Sequence, residues 1–192
     1  MMKKGFTYLE LVIVIVLIGI LALLSIDRIQ RDNLYEAADQ LLSHIQYTQH
    51  LAMIDDRFDP DDANWRSKQY RIQFHNTDNN NGYSIFRDLN EDNELSSGDF
   101  IVNDPLSGKP ICGKSSVCSD RLEDVDLLSK YNVSVSVSGA TGARQLMFDH
   151  IGRPHDLHGD LLTNPVTITL ERGSESVEIV VEQETGYSYL NI

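Results

Sequence analysis

Gly5-Phe6-Thr7-Tyr8-Leu9-Glu10 stands between the basic pair Lys3-Lys4 and an apolar run from Leu11 to Leu24. A carboxylate at the edge of such a run is costly to take out of water. Insertion scales put the cost at roughly 2.5–3.5 kcal/mol near a bilayer centre and less towards an end. A residue kept there marks function by default and calls for a partner. Two plainer readings account for less. A secretory signal has a basic start, a short apolar core and a small-residue cleavage site. Here the small residues that follow the core, Ala22 and Ser25, lack A-x-A spacing. A simple anchor accounts for the length, because Phe6–Ile26 would reach about 31 Å as a helix, enough to cross a hydrocarbon core. It gives no reason for Gly5-Phe6 or for Glu10.

The whole N-terminal pattern resembles the class III signal of type IV prepilins and type II secretion pseudopilins. Met1–Gly5 matches the short basic leader, Phe6 the mature N-terminus and Glu10 the acidic position ahead of the apolar segment. Tyr8-Leu9 stand where that family more often has two aliphatic residues. The resemblance implies that a prepilin peptidase cuts between Gly5 and Phe6 and that the Phe6 amine is methylated. It also implies that Glu10 meets the Phe6 amine of a neighbouring subunit in a filament. Partners would be other pilins or pseudopilins, the peptidase and an inner-membrane assembly platform. The chain would pass once through the bacterial inner membrane, with its globular part in the periplasm. Lys3-Lys4 agree with a cytoplasmic start by the positive-inside rule. Arg28 and Arg31 on the other flank oppose it, so the orientation rests on the resemblance.

The chain has 192 residues and a formal charge of −13. Without leader and apolar segment, roughly 160 residues remain, enough for one globular domain. Residues 1–31 are slightly basic, so the domain carries all the acidic excess, which repels nucleic-acid phosphate at long range. The two cysteines, Cys112 and Cys118, are six positions apart. In the oxidising compartment that the resemblance implies, they pair and close a small loop. A reduced pair and a zinc site are the alternatives. Zinc would need two more ligands nearby, and no His lies between Asn76 and Asp149.

From Phe6 to about Asp55 there is no proline. Leu34, Ala37, Ala38, Leu41, Leu42, Ile45 and Ala52 recur at helical spacing. This predicts one long helix of about 50 residues, its first half in lipid and its second half on a domain. Asp59-Pro60-Asp61-Asp62 ends it. The segments 69–74, 83–87, 133–137, 145–148, 166–170 and 177–181 then read as antiparallel strands between Gly/Asn/Asp turns. The expected fold class is α+β and pilin-like: one long N-terminal helix, its first half transmembrane, packed on an antiparallel sheet domain. The organisation would be a leader at 1–5, a transmembrane and filament-core helix at 6–26 and a periplasmic domain at 27–192. Residues 46–53, 146–153 and 184–187 extend the resemblance weakly, towards H-type minor pseudopilins and FimT-type minor pilins.

Asp88, Asn90, Asp92, Glu94 and Asp99 fall close to the spacing of a calcium loop, where a hard cation collects six to eight oxygens. Asn93 replaces the usual turn glycine and Asp99 the usual chelating Glu, so the alternative is a solvated acidic turn. Asp149, His150, His155, Asp156, His158 and Asp160 form a second cluster, read as a polar connection between strands rather than a transition-metal site. No Gly-x-Ser-x-Gly motif and no phosphate-cradling loop is present, so no enzymatic activity is expected. The sequence therefore points to a structural minor subunit of a type II secretion pseudopilus or type IV pilus. The alternative is a FimT-like minor pilin that binds DNA during natural transformation. That role needs a basic patch, and Arg144, Arg153 and Arg172 sit among many carboxylates.

Overall fold

The computed structural model describes residues 7–55, 59–62, 65–77, 80–139 and 144–191, with the side chains of 23–32, 66, 67, 76, 77 and 80 outside that description. Helical backbone runs through α1 (Tyr8–Ile54). The chain divides into two compact units, Met1–Asn33 and Leu34–Ile192, and α1 belongs to both.

In the first unit the described helical side chains, Tyr8 to Ala22, are exposed all round, Leu9 by 69% and Leu21 by 63%. In the second unit the helical stripe is buried: Leu34, Ala37, Ala38, Leu41, Ile45, Thr48 and Ala52 lose nearly all contact with solvent. Small alanines at 37 and 38 let the helix lie close to the strands, and Leu42 and Tyr47 flank the seam.

Nine strands follow: β1 (Tyr70–Thr77), β2 (Asn80–Arg87), β3 (Phe100–Ile101), β4 (Ser134–Ser138), β5 (Gln145–Phe148), β6 (Pro154–His155), β7 (Val166–Arg172), β8 (Glu175–Val181) and β9 (Ser188–Asn191). They form two antiparallel sheets, ordered β3-β2-β1-β5-β6 and β4-β7-β8-β9. Alternation sets the inward faces. Val166, Ile168 and Leu170 pair in register with Val181, Ile179 and Val177 across β7 and β8, and all six are buried. Ile72, Phe74, Tyr83, Ile85, Leu146 and Phe148 do the same in the first sheet, and both sheets share one core with residues 34–52. A second small cluster, Phe86, Leu95, Cys112 and Cys118, lies under the long connection from β2 to β4. That connection carries a five-residue helix α2 (Leu127–Tyr131), which is N-capped by Asp126.

The expected fold class needs correction. The strands do not make one sheet under one long helix. They split into two sheets, a pairing that alternation does not specify, since it shows which face turns inward but not which strand is the neighbour. The helix α1 is divided between the two units, Tyr8 to Asn33 in the first and Leu34 to Ile54 in the second. Nor is a transmembrane half found: among the described residues, no helix is long and apolar enough to cross a membrane.

Candidate functional site

Gly5 and Phe6, the expected cleavage and methylation position, lie outside the described residues. Glu10 lies within them. Its Oε2 accepts hydrogen bonds from the Thr7 backbone N–H at 2.9 Å and the Thr7 hydroxyl at 2.8 Å. The Glu10 N–H donates back to Thr7 Oγ1 at 3.3 Å. This is a capping box, in which two residues three apart satisfy each other's first-turn donors. The signal was present as Thr7-x-x-Glu10, but the pattern around Glu10 pointed elsewhere. A carboxylate in the first turn also faces the positive end of the helix dipole.

The acidic loop brings together three of its five expected ligands. One carboxylate oxygen from each of Asp88, Asp92 and Asp99 lies within 4.8 Å of the others, the geometry of a group that could hold a metal ion. Asp88, fully buried, accepts from the N–H groups of Glu91 at 2.7 Å and Asn93 at 2.8 Å. Both donors have positive φ, 63° and 61°, so Asn93 performs the turn usually left to glycine. Asp99 accepts from the N–H groups of Leu89 and Ser96. Glu94 turns away and accepts from Gln73 Nε2 at 2.9 Å. Asn90 presents its Nδ2, donating to Asp92 at 2.8 Å and Ser96 at 3.1 Å. A cation of the protein itself is close by: the buried Arg71 places Nη1 at 3.7 Å from Asp88 Oδ2 and lies over the Phe86 ring. Burial lowers the pKa of its guanidinium and the three aspartates act against that.

Cys112 and Cys118 form a disulfide with Cα atoms 6.3 Å apart. Inside its loop, Lys114 Nζ donates to Leu95 O at 2.8 Å and ties it to the acidic loop. Nearby, His75 Nε2 lies 2.8 Å from Ser84 Oγ, which itself accepts from Gly113 N–H at 2.8 Å. Burial, helped by Lys114 and Arg144, pushes this histidine down to about 4. Ser84 is wholly buried, so the pair is structural and not a nucleophile with its base.

The second cluster resolves into turns. Asp149 accepts from the N–H groups of Ile151 and Arg153 and from Arg153 Nε at 2.8 Å, with His155 Nε2 at 3.1 Å. Burial works against ionisation, but these contacts hold its carboxyl below the ordinary value. Asp156 ties its own turn through the N–H groups of His158 and Asp160. The Asp149–His155–Arg153 contacts describe a polar connection between strands.

One group of residues was not legible at all. His44 on α1, Asp104 after β3 and Asp124 in a 3₁₀ turn line one cleft together with Leu106. They are up to eighty positions apart, and no spacing links them. Comparison of the chain with family models, curated proteins and solved structures gives no match.

Proposed function

We propose that this chain is a structural minor subunit of a periplasmic filament, a type II secretion pseudopilus or type IV pilus, that assembles through its N-terminal helix. The observation that carries the reading is the contrast between its units. The domain from Leu34 onward buries its own apolar residues, whereas every described side chain from Tyr8 to Ala22 is exposed and almost all are apolar. A helix apolar all round needs apolar surroundings. The packed helices of a filament core supply them after assembly. Partners on this reading are the N-terminal helices of other pilins or pseudopilins, a prepilin peptidase and an inner-membrane assembly platform.

DNA capture draws no support from the surface. Arg153, one of three candidate basic contacts, is engaged by Asp149 at 2.8 Å, and the whole chain is strongly acidic.

The test is processing. The mature chain begins at Phe6 with a methylated amine, read by intact mass and N-terminal sequencing of protein from the producing cell. Replacing Gly5 leaves a membrane-bound precursor. Cleavage after Ala22 or Ser25 instead makes the segment an ordinary secretory signal and ends this reading.

A further inference from the structure

Beside residues 40–47 of α1 lies a cleft of about 320 Å³, lined by Gln40, His44, Tyr47, Asp104, Leu106 and Asp124 among others. Its floor holds a buried carboxylate without a Lys or Arg counter-ion among the described residues. Asp104 is only 8% exposed. Its Oδ2 accepts from the Ser107 N–H and hydroxyl, both at 2.7 Å, and the Leu106 N–H also donates to it. Burial pushes this carboxyl up, but those hydrogen bonds, with His44 beside them, leave it below the ordinary value. Asp104 is therefore ionised at neutral pH. All its bonded donors are neutral, and none of the Lys and Arg ion pairs among the described residues includes it. Those neutral donors stabilise the ionised carboxylate, and its negative charge remains without a basic side chain beside it among the described residues.

His44 gives a second, independent sign. It is 7% exposed, and Nδ1 lies 2.7 Å from the hydroxyl of Tyr83. Tyr83 is wholly buried and stays protonated, and its hydroxyl pairs with Nδ1. The other ring nitrogen, Nε2, is not among the fully buried atoms that lack a partner, and the residue lines the cleft, where solvent or a ligand can reach it. Burial pushes His44 down against the pull of Asp104 and Asp124, so the ring is neutral and does not balance Asp104. At the mouth, Leu106 is 95% exposed beside Tyr47 and Leu122. A negative floor under an apolar rim is the result.

We propose that this cleft receives a lysine or arginine side chain of a partner protein, its alkyl stem against Tyr47, Leu106 and Leu122 and its cationic head at Asp104. Long basic side chains combine these two demands in one group. The volume is at the lower end for ligand pockets and suits a side chain better than a larger molecule. A bare divalent ion would leave the apolar rim unused. Among the described residues, the carboxylate trio close enough to chelate is Asp88, Asp92 and Asp99, not this group. A second copy of this chain is disfavoured, because two strongly acidic domains repel. Asp124 also lines the cleft, but Lys130 Nζ at 3.2 Å balances its charge. The inference stands on the cleft alone and does not depend on the filament reading.

The test uses the full chain in detergent micelles with isotope-labelled His and Leu. The probes are N-acetyl-lysine N-methylamide, its norleucine and glutamate counterparts, and calcium chloride alone. The lysine compound should shift the His44 Nε2 and Leu106 methyl resonances saturably. The norleucine compound should bind at least about tenfold more weakly, and so should the lysine compound on Asp104→Asn. Asp104→Asn also loosens the turn at 105–107, so the ligand series on the unaltered protein carries the decision. Equal binding of norleucine, preference for glutamate, the same shifts with calcium, or no saturable shift with lysine each overturns the proposal.

Discussion

His75 and Asp88 are single residues whose surroundings make measurable demands. The folded pKa of His75 is about 4 against an ordinary 6.5. Between those values the unfolded chain binds more protons than the native one, so stability rises with pH through that window. The contribution is complete above about pH 6.5, is lost as pH falls towards 4, and is on the order of 2–3 kcal/mol. His44, also lowered by burial, adds in the same direction. Asp92, Asp104 and Asp149 have carboxyls below 3.8 and act at lower pH, so they leave the window clean. Urea midpoints between pH 4.5 and 7 (roughly the window itself) should therefore rise, and His75→Gln should flatten the rise. An unchanged slope in the variant would assign the effect elsewhere. Asp88 makes a different demand, because it faces the buried Arg71. Asp88→Asn leaves that guanidinium without its carboxylate and should cost on the order of 3–5 kcal/mol. Asp92→Asn, on the exposed side of the same loop, should cost under about 1 kcal/mol. Equal losses would mean that Arg71 does not anchor the loop. The spacing in the sequence found Asp88, Asp92 and Asp99 because a tight loop turns alternate side chains inward. It misplaced Glu94, whose carboxylate has a closer donor in Gln73 on a strand the spacing cannot see.

Elements were more legible than their neighbours. All six strand segments expected from alternation appear, since inward and outward faces are written into each strand. Missing from the reading were β3, β6 and β9: two are two-residue pairings, and the third begins after a turn with Gly186 at φ +66°. Pairing was not legible, since β4 joins β7 rather than β1 or β5 by register with a strand about thirty positions away. The helix beyond Asn33 was read correctly on its buried face. Its seat on the C-terminal turn was not, because Gln49 Nε2 reaches the carbonyls of Gly152 and Thr185 at 2.8 and 3.0 Å, both far along the chain. The disulfide loop gives the prediction for this scale. Cross-linking positions six apart removes unfolded-state freedom worth about 2–2.5 kcal/mol in the chain-entropy estimate. Cys112→Ser with Cys118→Ser should lower stability by that amount. Because Lys114 holds Leu95 O, hydrogen exchange should also quicken in the acidic loop while β7 and β8 stay protected. Uniform loss of protection would show that the two loops are not coupled locally.

For the whole molecule, the decisive question is what Glu10 does for a unit whose described apolar side chains are all exposed. The structure gives it a local role, since its three hydrogen bonds with Thr7 close the first helical turn. A filament gives it another, as the partner of a neighbouring Phe6 ammonium. Hydrogen bonding and charge separate the two. Glu10→Gln keeps an acceptor for the Thr7 donors and loses the charge. Glu10→Ala loses both. If assembly requires the ion pair, Gln and Ala variants should both fail to enter filaments, because a neighbouring ammonium is buried without its counter-charge at a cost of about 3–5 kcal/mol. If the cap alone matters, Gln should assemble nearly as well as wild type and Ala somewhat less. Cross-linking of each variant to the other filament subunits, at matched membrane levels, reads the difference. On the filament reading the expected result is loss in both, with Gln no better than Ala. A competent Gln variant would leave Glu10 as a helix cap and return the functional weight of the N-terminal stretch to the cleavage between Gly5 and Phe6.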